Sequence, residues 1–104
     1  MALDINLVIE DDVAKITLAG ELDGSNAADF KAKIEEAAAA SVTKVVLFMA
    51  DLEFMASAGL RVLVFSKQKM GANVDVYVIG AQEMILDTIE KTGLNHTLII
   101  QDKY

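Results

Sequence analysis

The hydroxyl of Ser57 is the group in this sequence best placed to carry chemistry. It lies in the run Asp51-Leu52-Glu53-Phe54-Met55-Ala56-Ser57-Ala58-Gly59-Leu60. Residues 44–49 read as a buried strand, residues 51–56 as a loop, and a helical pattern opens at Ser57. The run thus joins the C-terminal end of a strand to a helix, where open α/β sheets build their sites. Ser57 falls at the expected N-cap. One reading is structural: the hydroxyl accepts a hydrogen bond from a first-turn amide and caps the helix. The other is chemical. A helix start offers free N–H groups and partial positive charge, so it accommodates a phosphate. A phosphoserine adds about −1.5 to −2 charges and three acceptor oxygens to the surface. Local physics leaves both readings open.

The remaining reactive residues narrow the field. The 104 residues hold no Cys and a single His, His96, near the last expected strand. Thiol chemistry, disulfides and multi-imidazole zinc sites are therefore excluded, and no metal or cofactor is expected. No Gly-x-x-x-x-Gly-Lys-Ser/Thr loop is present to hold a triphosphate, and no Gly-x-Ser-x-Gly elbow surrounds Ser57. The chain does not read as an enzyme. Asp11-Asp12 and Glu35-Glu36 read as a turn and a solvated helix face, not an acid–base pair. Arg61, one turn beyond Ser57, can meet a carboxylate or a phosphate.

Bulk properties agree. Nine Lys+Arg against 16 Asp+Glu give a formal net charge of −7. Such a chain has no basic patch for nucleic acid and is repelled by anionic membranes. The most apolar run, residues 45–50, falls far short of the roughly 20 residues of a membrane span. No signal peptide is visible, so the expectation is a cytoplasmic protein with no membrane insertion. The length suits one domain, residues 1–104.

The elements that must position Ser57 follow from periodicity. In residues 4–10, Ile5, Leu7 and Ile9 alternate with polar residues; in residues 13–19, Ala14, Ile16 and Leu18 face opposite Lys15 and Thr17. Two half-buried strands joined by Asp11-Asp12 make an antiparallel hairpin. Residues 20–24 break the pattern, and a helix begins near Ser25 or Asn26 with Phe30, Ile34, Ala37 and Ala38 on one stripe. After the central strand, residues 57–70 form a helix with Leu60, Leu63 and Val64 toward the sheet and Val62 and Phe65 turned partly elsewhere. A strand over 74–79, a helix over 82–92 and a short strand over 98–100 complete the chain. Met49, Met55, Met70 and Met84 are expected to fill gaps in the core or its edges, with Met55 in the site loop. The order ββαβαβαβ demands right-handed crossovers and parallel pairing. Three strands keep one partly polar face, so the fold class is α/β: a mixed sheet with helices mainly on one face.

The run Phe54-Met55-Ala56-Ser57-Ala58-Gly59-Leu60 resembles the signature of the STAS domain family, the bacterial anti-sigma factor antagonists. Leu18-Ala19-Gly20-Glu21-Leu22-Asp23 is similar to that family's Gly-Glu-Leu-Asp turn, and Lys91-Thr92-Gly93-Leu94 to its closing helix–Gly-Leu. Length and element order fit as well, so the resemblance spans the chain. It implies that Ser57 is the phosphorylated serine. It implies an anti-sigma factor that is also a serine kinase as partner, with a PP2C-type phosphatase opposing it. Gly20, Glu21, Leu22 and Asp23, with Met55, Ala56, Ser57, Ala58, Gly59 and Arg61, are then expected to form the partner surface. Ala56 departs from the family's usual Asp before the serine, which removes a like charge beside a phosphate and an acceptor for a kinase. That departure keeps open an alternative role in the same family: a subunit of a transporter ATPase complex or sensory assembly, not regulated by phosphate.

Overall fold

Alternating apolar residues and a two-residue link produce the hairpin that opens the fold. The computed structural model describes residues 2–104. Strand β1 (Leu3–Glu10) pairs antiparallel with β2 (Val13–Leu22). Asp11 and Asp12 both take positive φ, 49° and 65°, which gives the reversal the twist its flanking strands need. Three crossovers follow: α1 (Ala27–Ala39) leads to β3 (Lys44–Met55), α2 (Ser57–Met70) to β4 (Asp75–Ile79), and α3 (Glu83–Lys91) to β5 (Ile99–Gln101). A 3₁₀ turn over Leu94–His96 lies between α3 and β5.

The five strands lie in the order β1-β2-β3-β4-β5, with β2 to β5 parallel. Each crossover steps to the next strand in the same direction, so a constant right hand keeps the helices on one face. The core sits between them. Ala14, Ile16 and Leu18 of β2, Val45, Leu47 and Met49 of β3, and Val76 and Val78 of β4 meet Phe30 and Ile34, Val62 and Leu63, and Ile85 and Ile89 of the three helices. The other face carries no helix. There Val46 and Ile79 are buried outside that core, and the Tyr104 ring packs edge-on against Phe48 at 6.3 Å and Tyr77 at 5.5 Å. No described helix is long and apolar enough to cross a membrane.

Five expectations are corrected. Residues 51–56 are not a loop: β3 runs on through Met55. Likewise β2 does not stop at residue 19 but continues through Gly20 and Glu21 to Leu22. On α2 the core stripe is Val62, Leu63 and Ser66, while Val64 is turned outward; the helix starts at Ser57, one residue earlier than a Ser57 cap implied. Met84 is 60% exposed rather than packed, and Ile9 at the hairpin end is exposed as well.

Candidate functional site

The two extended strands bring the separate sequence motifs together. β2 and β3 are neighbours, and their C-terminal ends pair Glu21 with Phe54 and Leu22 with Met55. The Ala56 amide donates to the Leu22 carbonyl at 2.8 Å, closing the ladder one residue before α2 begins. Segments more than thirty residues apart in sequence therefore form a single rim.

The ladder is not regular along its length. From Val13 to Thr17, β2 pairs residue for residue with Lys44 to Phe48. Beyond that, the step from Thr17 to Ala19 spans Phe48 to Asp51, and the step from Gly20 to Glu21 spans Leu52 to Phe54. Each shift puts one extra residue into β3. Such bulges bend a strand and re-aim its side chains, and they favour functional edges. Leu52 and Met55 remain in the core, while Asp51, Glu53 and Phe54 are turned out to solvent. Gly20 permits the same bend in β2. Its φ is +98°, and a Cβ there would run into the Ala2 carbonyl oxygen, which accepts the Glu21 amide at 3.1 Å.

Ser57 is the first residue of α2, not its cap. Ala56 occupies the N-cap position in extended conformation, with φ −79° and ψ 170°, and no side chain caps the helix. The first turn carries no acidic residue. The Ala56 carbonyl accepts the Gly59 and Leu60 amides at 3.0 and 3.2 Å. Ser57 is exposed at the positive end of a helix that nothing neutralises. Gly59 lets that end lie close to β2: a Cβ there would stand 2.6 Å from Leu22 Cδ2 and 2.9 Å from Met55 Cγ.

The turn after β2 is fixed by its own side chains. Asn26 takes the N-cap position of α1 but does not cap it. Its amide group reaches backward instead: Oδ1 accepts the Asp23 N–H at 2.9 Å, and Nδ2 donates to the Glu21 carbonyl at 2.9 Å. Asn26 is only 7% exposed, so this clasp is a buried and satisfied polar group. The Asp23 carboxylate accepts from both the hydroxyl and the amide of Ser25. Those two bonds, with a smaller contribution from the Asn26 amide, hold the Asp23 carboxyl below its ordinary value.

The expected site residues thus divide. Glu21, Asp23, Ala56, Ser57, Ala58 and Arg61 lie at the surface or half-buried at one rim. Leu22, Met55 and Gly59 are buried. The expectation that these three face a partner is corrected: they hold the rim from below, since the pleat turns Leu22 and Met55 to the core together. Sequence reasoning missed two residues. Asn26 looked like a plain cap, and Phe54 looked like loop. The alternation of Asp51 and Glu53 with Leu52 and Phe54 is a strand period that signals the extension of β3, but it puts Phe54 on the Leu52 face, and only the register shift turns it out. His96 lies exposed in the 3₁₀ turn.

A STAS domain family model matches residues 4–104. Among curated relatives, the anti-sigma-F factor antagonist RsfB of Mycobacterium tuberculosis is 27% identical over 96 residues, covering 92% of this chain and 79% of the relative. An anti-sigma factor antagonist from Mycobacterium paratuberculosis has the same fold, with a TM-score of 0.89, 24% identity and coverage of 98% of this chain and 87% of that one. The Bacillus cell fate determinant SpoIIAA in its phosphorylated form superposes with a TM-score of 0.74 at 21% identity, over 95% of this chain and 90% of that one.

Proposed function

The chain belongs to the STAS domain family, and from that premise we propose that it is an anti-sigma factor antagonist switched by phosphorylation of Ser57. Two of the proteins named above are called anti-sigma factor antagonists, and a third, SpoIIAA, is known in a phosphorylated form. In its unmodified state the protein binds an anti-sigma factor through the rim of β2, β3 and α2, which frees the sigma factor for transcription. The anti-sigma factor, acting as a serine kinase, phosphorylates Ser57 and ends the contact. A PP2C-type phosphatase restores it.

One observation carries this reading: Ser57 is exposed and uncapped at the first position of α2, against the end of β2. The physics of the switch follows from local charge. Unmodified, this end of the rim is positive, from the helix start and from Arg61 one turn on. A phosphate of about −1.5 to −2 charges reverses that sign. A partner surface that matched the positive end is then repelled, and a desolvated phosphate adds its own cost. Refolding is not required.

The test is incubation with ATP and the anti-sigma factor kinase of the same genome, followed by intact-mass measurement. A single phosphate on Ser57, absent in Ser57→Ala, is expected, together with at least about a tenfold loss of affinity for the anti-sigma factor. No phosphate, or phosphate elsewhere, overturns the reading. Ala56 favours a second reading, in which the domain is a docked subunit of a transporter ATPase or sensory assembly and Ser57 is never modified. A pull-down separates the two by the identity of the captured partner.

A further inference from the structure

Phe54 is an aromatic side chain left 43% exposed within the same rim. The shift between Gly20 and Glu21 creates this exposure, because without the extra residue in β3 the alternation would be carried through differently. With it, Met55 points to the core and Phe54 away from it. Phe54 pairs in register with Glu21, and parallel register partners share a face. Glu53 precedes it and is exposed, as is Asp51. Asp23 opens the neighbouring turn. Among the described residues, the charged side chains flanking Phe54 on β2 and β3 are acidic, while the positive start of α2 and Arg61 belong to the element that follows.

A lone exposed apolar side chain is common on a protein surface; Phe54 is singled out by lying on the rim that also carries Ser57. Binding hot spots are typically aromatic anchors that enter a pocket, with charged neighbours at the rim. We propose that Phe54 is the apolar anchor of this surface and that it enters a pocket on the anti-sigma factor edged by basic side chains, complementary to Glu21, Asp23 and Glu53. The inference rests on the antagonist reading above. It adds what that reading lacks, namely a source of affinity independent of Ser57. Phosphorylation then acts on the positive end of a two-signed surface, and Phe54 with its carboxylates supplies the other end.

Two residues provide an internal control. Val8 and Ile9 of β1 are 42% and 43% exposed, matching Phe54, but lie on the hairpin at the opposite end of the ladder. Titration calorimetry with the anti-sigma factor of the same genome should give a loss of at least about tenfold for Phe54→Ala. Phe54→Leu should stay within about threefold, since an apolar group still fills the pocket. Val8→Ala and Ile9→Ala should bind as the wild type does. Glu53→Gln should slow association and flatten its salt dependence, as a rim charge does. If the wild type binds and Phe54→Ala binds within about twofold of it, the anchor proposal fails while the antagonist reading stands. Equal losses for Val8→Ala and Phe54→Ala overturn it too. If the wild type itself does not bind, the antagonist reading fails and takes this proposal with it.

Discussion

The two halves of the β2–β3 ladder are built from the same kinds of residue and do different work. Between Val13 and Thr17 the strands run in plain register, and Ile16 and Leu47 face each other within the core. Between Thr17 and Leu22 the ladder takes two extra residues from β3, bends, and turns acids and an aromatic outward. In the regular half the helix-facing side chains are enclosed in the core. The irregular half gives up even pairing, and its geometry must be held by other means: Gly20 at positive φ, Gly59 under α2, and the Asn26 clasp. Both register shifts of this ladder therefore fall in its C-terminal half, beside the start of α2.

The sharpest way to separate the halves is to damage each in turn. Leu47→Ala in the regular half should cost about 2–5 kcal/mol in urea denaturation, as cavity-forming changes in enclosed positions do. Among molecules that remain folded, partner affinity should be unchanged; a specific loss would mean the halves are not independent. Asn26→Ala in the irregular half should cost less, about 1–3 kcal/mol, from leaving the Asp23 amide and Glu21 carbonyl unpaired. Hydrogen exchange should then speed up at the Asp23 and Ala56 amides well beyond the change at Ile16 and Leu47. Uniform exchange across both halves would break the comparison.

Ser25→Ala is the smallest change. It removes the hydroxyl that contributes most to lowering the Asp23 pKa, so the carboxyl should titrate closer to its ordinary value. The sign is fixed by linkage. A carboxyl lowered in the folded state stabilises the turn above its unfolded pKa, and that contribution is lost as pH falls through the lowered folded value. Loosening of the 23–26 turn in acid should therefore begin at higher pH in the variant. An NMR titration of the Asp23 carboxyl, read with the Ser25 and Asn26 amide shifts, checks both points.

Much of this was legible beforehand. The alternation in β1 and the first half of β2, the apolar run of β3 and the helical stripe of Phe30 and Ile34 reflect periodicities that burial imposes directly. The site was legible in part. Ser57 stood out by its type and place, and Glu21 and Asp23 only through the resemblance of residues 18–23 to the family's Gly-Glu-Leu-Asp turn. Phe54 and Asn26 did not, for different reasons. Acidic residues at 51 and 53 resemble a loop when the strand that pairs with them is unknown. A residue of capping type at position 26 looks the same whether its side chain turns forward to the helix or back to Glu21.

Composition and periodicity alone determined an acidic α/β chain with one helix-covered sheet face and a serine at the start of its second helix. Those features depend on residue type and on neighbours close in sequence, which the chain carries with it in any context. Tertiary structure alone decided the pairing of Glu21 with Phe54, the two register shifts and the burial of Leu22, Met55 and Gly59. Each of these depends on how β2 lies against β3, two strands separated by an entire helix. No local preference of either strand specifies that alignment; the shared core beneath them does.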